Sequence, residues 1–197
     1  MDINCPKIDW LTFTSWESEV FCAWKKWQNE KSEPAQEGKI KMYAGTWAGS
    51  TFVGEGLQGG KKHYIVRVSG EESHEAFNKL DVEGFKCTRI DIQITEPLPV
   101  GYSARQLADD LREGNWGSFE RDCRLIENTD HLDTVYIGSG KSDRFARVYV
   151  KEGDEEKRYL RFEVEHKAEW AELIAERYKA GGSLGGVLKD FLTQLPL

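Results

Sequence analysis

Three carboxylates, a tyrosine and a lysine fall at alternate positions along three β-patterned stretches of this chain. In residues 87–95, Ile90, Ile92 and Ile94 alternate with Arg89, Asp91, Gln93 and Thr95. In 144–151, Ala146, Val148 and Val150 alternate with Arg147, Tyr149 and Lys151. In 159–167, Leu160, Phe162 and Val164 alternate with Arg161, Glu163 and Glu165. Successive side chains of a strand point to opposite faces, so each stretch has one apolar face to cover with helices and one ionisable face. If the three strands are neighbours, Asp91, Glu163 and Glu165 converge, with Tyr149 and Lys151 beside them. Clustered carboxylates raise one another's pKa unless a cation neutralises them. Their hard oxygens suit Mg²⁺ or Mn²⁺. Such an ion next to a tyrosine hydroxyl fits phosphoryl transfer: the metal polarises a phosphate oxygen and the phenolate attacks phosphorus in line. Lys151 would lower the tyrosine pKa or stabilise charge developing on the phosphate. Periodicity alone fits a solvated face of cross-strand ion pairs better than it fits a reaction centre.

The elements that must position these residues alternate along the chain as strands and helices, which predicts an α+β fold. Residues 8–14 read as a strand. Thr14 with Glu17 reads as a capping box opening a helix, on which Trp16, Val20, Trp24 and Trp27 recur at helical spacing as core. Residues 39–69 are β-patterned and Gly-rich, and a short helix follows near 71–80. Ser103 with Gln106 reads as a second capping box, Leu107 and Leu111 as the buried face of that helix, and Gly114 as its end. Strands are expected at 121–128, 134–139, 144–151 and 159–167. The middle two form a hairpin around 138–143, and Gly153-Asp154 turns the chain toward the last. A C-terminal helix carries Trp170, Leu173 and Ile174 and ends near Gly181-Gly182; a short one follows over 184–195. No repeat or linker divides the chain, so 1–197 reads as a single domain with C-terminal helices from about 167.

Composition removes several function classes. The 197 residues are 39% hydrophobic and include seven Trp, nine Phe and seven Tyr, too apolar for a disordered chain. No apolar run is long enough for a membrane span, and the N-terminus lacks the layout of a signal peptide. Four separated cysteines, with no Cys-x-x-Cys pair, read as free thiols of a cytoplasmic protein. His63, His74, His131 and His166 lack metal-ligand spacing. Gly54-Glu-Gly-Leu-Gln-Gly-Gly60 matches neither the dinucleotide fingerprint nor the P-loop and reads as a hairpin. The net charge of −7 argues against affinity for nucleic acid through bulk charge. The charge is uneven, however: residues 38–67 hold Lys39, Lys41, Lys61, Lys62 and Arg67 against Glu55 alone.

Taken in order, several segments resemble the replication initiation factor family, the Rep proteins of rolling-circle plasmids and some phages. They are Ile8-Asp-Trp-Leu-Thr-Phe-Thr14, Tyr43-Ala-Gly-Thr-Trp47 with Val68-Ser-Gly70, and Thr88-Arg-Ile-Asp-Ile-Gln-Ile-Thr95. Tyr136-Ile-Gly-Ser-Gly-Lys-Ser-Asp-Arg-Phe-Ala-Arg-Val-Tyr149-Val-Lys151 and Tyr159-Leu-Arg-Phe-Glu-Val-Glu-His-Lys167 complete the set. The resemblance implies a relaxase-like nuclease fold: a central, mostly antiparallel sheet flanked by helices. It also implies an endonuclease that nicks and rejoins single-stranded DNA at a replication origin through a 5′-phosphotyrosine link, leaving a 3′-hydroxyl. Carboxylates stand where related nucleases use a His-hydrophobic-His metal motif.

Carried over by position, the resemblance makes Tyr149 the nucleophile and Asp91, Glu163 and Glu165 the ligands of Mg²⁺ or Mn²⁺. Lys151 and Arg147 neutralise developing charge. Lys61, Lys62, Lys141, Ser142, Arg144 and Arg147 are the expected DNA contacts. A helicase or other host protein is a further expected partner, and a homodimer an expected assembly. The chain has Gly140 where such proteins often carry Arg, and it stops soon after the last motif. With the acidic balance, these departures keep a second reading open: a Rep-derived binding protein that inhibits or regulates a host nucleic-acid complex or defence system. A third reading is a single-strand binder whose aromatic side chains stack bases.

Overall fold

The computed structural model describes residues 5–30, 34–79, 84–98, 102–113, 123–126, 134–152 and 157–193. The expected α+β class holds, with ten strands and five helices among the described residues. In chain order these are β1 (Lys7–Ser15), α1 (Ser18–Asn29), β2 (Gln36–Ile40), β3 (Tyr43–Ala48), β4 (Thr51–Gln58), β5 (Lys61–Ser69), α2 (Glu72–Lys79), β6 (Phe85–Pro97), α3 (Ala104–Arg112), β7 (Cys123–Ile126), β8 (Thr134–Ile137), β9 (Arg144–Glu152), β10 (Arg158–Lys167), α4 (Ala168–Lys179) and α5 (Leu184–Thr193). The strands form a large antiparallel sheet in the order β2-β3-β4-β5-β1-β6-β10-β9-β8-β7. Among the described residues, no helix is long and apolar enough to cross a membrane. The chain divides into two compact units, one made of 8–90 with 167–176, the other of 1–7, 91–166 and 177–197.

In the 8–90 unit, β2 to β5 are successive antiparallel hairpins and β1 pairs beside β5. Gly38, Gly45 and Gly54 stand in one register row across three strands. A Cβ on Gly38 would meet the Trp47 ring at 2.5 Å, and one on Gly54 the Phe52 ring at 2.6 Å. The missing side chains are therefore what let these two rings fold down onto the neighbouring backbone. Phe52, Ile40, Tyr43 and Ile65 form a buried cluster there with Trp47 packed against it. On the opposite face, Phe13 meets the rings of Phe77 and Phe85, with centroids 6.1 and 4.5 Å away. Phe21 of α1 stacks on Tyr64 at 4.6 Å.

Two local readings are corrected in this unit. Thr14 does not cap α1: it stays in β1, and Glu17 occupies the N-cap position without a side-chain bond. Ser15 Oγ takes the Glu17 N–H at 3.0 Å instead. Trp16 therefore lies before the helix, half exposed against the His63 ring, while Val20, Trp24 and Gln28 are buried. Gln28 was invisible as a core residue because it is polar. Its amide donates to the carbonyls of Thr46 at 2.8 Å and Thr51 at 3.2 Å, and its oxygen accepts from Thr46 Oγ1 at 2.9 Å. It thereby satisfies groups the β3–β4 hairpin would otherwise bury unpaired.

In the other unit, β7, β8, β9 and β10 form an antiparallel ladder. Buried Val135, Ile137, Ala146 and Val148 make its apolar side, and α3, with buried Leu107 and Ala108, packs on β7, β8 and β9. The second capping box is present in its first half, Ser103 Oγ accepting the Gln106 N–H at 3.2 Å. The chain end of α4 is closed by Gly181 at φ 89°. There the Gly182 N–H bonds Arg177 O at 2.9 Å, the geometry of a glycine C-cap. Trp170 and Leu173 are exposed; the buried face of α4, whose residues up to 176 belong to the 8–90 unit, is Ala171, Ile174 and Ala175. The Leu111 side chain, Gly114, His131, Gly153-Asp154 and the ends of the 121–128 strand lie outside the described residues.

Candidate active site

Register builds the site. Along the β9–β10 pair, Tyr149 faces Arg161, Arg147 faces Glu163 and Phe145 faces Glu165. Period-two alternation then puts Arg147, Tyr149, Arg161, Glu163 and Glu165 on one side. The other neighbour of β10 is β6, which brings Asp91, Gln93 and Thr95. On the far side of β9, β8 sets Tyr136 opposite Arg147 and Thr134 opposite Tyr149.

Glu163 is the hub. One of its oxygens accepts from the Tyr149 hydroxyl and the other from Arg147 Nε. Arg147 reaches on through Nη2 to Asp91 Oδ2 at 3.0 Å. Arg161 places Nη1 3.8 Å from Glu163 Oε1. Its Nε donates to Thr95 Oγ1 at 3.3 Å, and Thr95 Oγ1 donates to Gln93 Oε1 at 2.8 Å. Asp91, Glu163, Glu165 and Arg161 are all buried, at 1, 3, 7 and 9% exposure. Buried charges of this density persist only when paired and hydrogen-bonded.

The electrostatics follow from those pairings. Burial works against the Arg147 charge, but Glu163, Asp91 and Glu165 outweigh it and hold the guanidinium protonated more firmly than usual. Tyr149 is driven far above the ordinary tyrosine range, first by burial and then by the bond it donates to Glu163 and the charge of that carboxylate. Arg161 pulls in the opposite direction. The network thus holds Tyr149 as a phenol with its proton already aimed at a carboxylate oxygen.

Asp91, Tyr149 and Glu163 come together as expected, and Glu165 lies near enough for Arg147 to feel its charge. Lys151 is on the same side of β9, opposite Tyr159. The cation that works against the raised Tyr149 pKa is Arg161, which stands directly across from it. Arg161 was visible as a polar-face residue, but its role depended on the register. Arg147, expected to neutralise developing charge and contact DNA, has its guanidinium between two carboxylates. Arg144 lies on the same side of β9 as Ala146 and Val148, the side away from Tyr149, and it is buried. Lys141 and Ser142 sit in the β8–β9 turn, where the Ser142 N–H bonds Ser139 O at 2.9 Å. Lys61 and Lys62 open β5 in the 8–90 unit, both exposed, with Lys62 3.3 Å from Glu55.

The carboxylates have the right chemistry for a hard divalent ion, but Arg147 already occupies two of them. Among the described residues, no group of three His, Cys, Asp or Glu side chains is disposed to hold a metal ion. Set against known protein families and against functionally curated proteins, the sequence matches none.

Proposed function

We propose that the chain is a tyrosine-type DNA nicking and joining domain of the rolling-circle initiator kind, with a relaxase-like fold, acting in the cytoplasm on single-stranded DNA at a replication origin. The observation that supports this reading is the Tyr149 hydroxyl donating to Glu163 inside a buried cluster of carboxylates and guanidiniums. A carboxylate within hydrogen-bond reach of a nucleophile is the arrangement that activates it. In the nicking step the proton of Tyr149 passes to Glu163 as the Tyr149 oxygen bonds to phosphorus. The bond from phosphorus to the 3′-oxygen breaks, and that oxygen leaves as a 3′-hydroxyl after taking a proton. Rejoining is the reverse. Arg161 stabilises the negative charge on the phenolate, and Lys151 extends the cationic side of β9 toward the strand. Lys141 and Ser142 in the exposed β8–β9 turn are the proposed contacts to the same strand, and Lys61 and Lys62 those to flanking DNA. Asp91, Glu163 and Glu165 are the residues that would hold Mg²⁺ or Mn²⁺, which supplies polarisation of a phosphate oxygen.

The test is covalent capture. Incubated with a random pool of single-stranded DNA and Mn²⁺, the protein should give a protein–DNA band on a denaturing gel. The band should be lost with chelator and in Tyr149→Phe. Equal adduct from the wild type and from Tyr149→Phe ends the nucleophile assignment.

A second reading has its own observation. The site is electrostatically self-contained, with Arg147 between Asp91 and Glu163 and Tyr149 held protonated. That suits a Rep-derived protein that keeps the fold and acts by binding, as an inhibitor or regulator. No adduct with any divalent metal, from protein shown to be folded, would favour it.

A further inference from the structure

β2 stands at one end of the strand order, and among the described residues no strand pairs with its outer side. Its five residues are Gln36-Glu37-Gly38-Lys39-Ile40. Such an edge offers a row of main-chain donors and acceptors to another strand. The alternation of an antiparallel ladder decides which residues own that row. Ile40 and Tyr43 are register partners across a two-residue turn, so they hydrogen-bond each other. Gly38 and Gln36, at alternate positions before Ile40, likewise turn their main-chain groups to β3. Those of Glu37 and Lys39 therefore point outward, and both residues are exposed.

A closed two-fold pairing of identical edges is antiparallel. Three registers let a second β2 bond these outward groups. Two of them set a charge opposite itself, Glu37 against Glu37 or Lys39 against Lys39. The third places the two-fold axis at Gly38 and sets Glu37 of each copy opposite Lys39 of the other, twice over. Opposite charges facing each other across a sheet are stabilising and like charges are not. In this register each Glu37–Lys39 pair is also the hydrogen-bonded pair, so every outward main-chain group of both residues is satisfied. An edge guarded against pairing carries charge that repels a copy of itself. Glu37 and Lys39, spaced about a glycine, do the reverse.

Gly38 falls on the axis as a non-hydrogen-bonded pair, the closer of the two spacings in an antiparallel ladder, and brings no side chain there. The face opposite Glu37 and Lys39 is taken by the ring of Trp47, which a Cβ on Gly38 would meet at 2.5 Å. Trp47 is half-buried. The pairing brings the Trp47 rings of the two copies toward each other, an apolar contact behind the ion pairs.

We propose that β2 is a self-complementary docking edge through which two copies of this chain join their sheets, antiparallel about Gly38. The nicking reading is not needed for it. A ladder this short makes a small interface, so the dimer is weak and forms with rising concentration.

The test is sedimentation velocity over a concentration series reaching about 0.5 mM, with melting temperature as the check on folding. The mean mass of the wild type should climb from one chain toward two. Glu37→Lys and Lys39→Glu each put like charges opposite in both pairs, so each alone should raise the dissociation constant about tenfold or more. Mixed together, the two variants are complementary again, and the mixture should dimerise about as well as the wild type. A wild type that stays monomeric throughout overturns the proposal and leaves the edge to a strand of another protein. A dimer that both single variants leave unchanged overturns it by placing the contact elsewhere. A mixture of the folded variants that stays monomeric overturns the register. No DNA is present in any of these measurements, so failure here leaves the covalent-capture result untouched, and failure there leaves this one standing.

Discussion

Tyr149 carries a proton that the folded protein holds more tightly than the unfolded chain does. A raised folded pKa adds stability that is fully present below the ordinary tyrosine value of about 10 and is lost as pH climbs through the folded value. Wild-type protein should therefore lose stability on the alkaline side, and Tyr149→Phe should lose less of it. Denaturant melts on either side of that range measure the difference, and parallel alkaline losses in the two proteins would contradict the assignment. Arg147 allows a complementary test. Replacing it by Met leaves Asp91 and Glu163 buried without their shared cation, a loss of about 3 kcal/mol in unfolding free energy. Adding Asp91→Asn should recover part of that. If a divalent ion uses the same oxygens, Arg147→Met should also bind Mn²⁺ more tightly than wild type, read as a larger metal-induced rise in melting temperature. The polar-face membership of Asp91, Tyr149 and Glu163 was legible in the sequence, because alternation needs no partner strand. The assignment of Arg161 to Tyr149, and of Arg147 to two carboxylates, was not legible. Those pairings depend on which residues stand opposite one another across β9 and β10.

Among the elements, strands read more faithfully than helix boundaries. The strong β-alternation of 87–95, 144–151 and 159–167 survives as β6, β9 and β10, lengthened by one to a few residues. Helical spacing of aromatic and aliphatic side chains is a weaker guide to what is buried. Trp16, Trp170 and Leu173 are exposed, while polar Gln28 is buried to serve hairpin carbonyls. Gln28→Leu should accordingly destabilise the protein despite its added apolar surface, because two carbonyls lose their donor. The loss should be about 1–3 kcal/mol in a denaturant melt, and a neutral or stabilising result would show that other groups satisfy those carbonyls. On β5, His63 Nδ1 stands 2.6 Å from the Tyr43 hydroxyl, and burial lowers its pKa. A depressed folded pKa adds stability that is present above the ordinary histidine value and lost as pH falls through the folded one. Mild acid should therefore loosen the β2–β5 meander, and His63→Gln should remove that dependence. Melting temperatures across mildly acidic pH would show it.

At the scale of the molecule, a net charge of −7 coexists with cation-rich stretches, and only the stretches bear on a polyanion. On the proposed nicking reading, overall charge would slow the approach of DNA, and local cationic side chains would determine what is held once it arrives. The expected signature is weak, strongly salt-sensitive binding to arbitrary single strands, and raising the salt should abolish it. The α+β class was legible from the alternation of patterns. The division into two compact units was not, because each is assembled from stretches far apart in sequence and no linker marks the boundary.

Trp16 has lost its place in the core but gained an optical use. Its ring lies 4.3 Å from that of His63, centroid to centroid, and the residue is half exposed. An imidazolium quenches a neighbouring indole and a neutral imidazole does so far less. The emission of this one tryptophan, isolated by subtracting Trp16→Phe, is therefore a built-in gauge of the His63 proton, and it can be read in intact protein without a label.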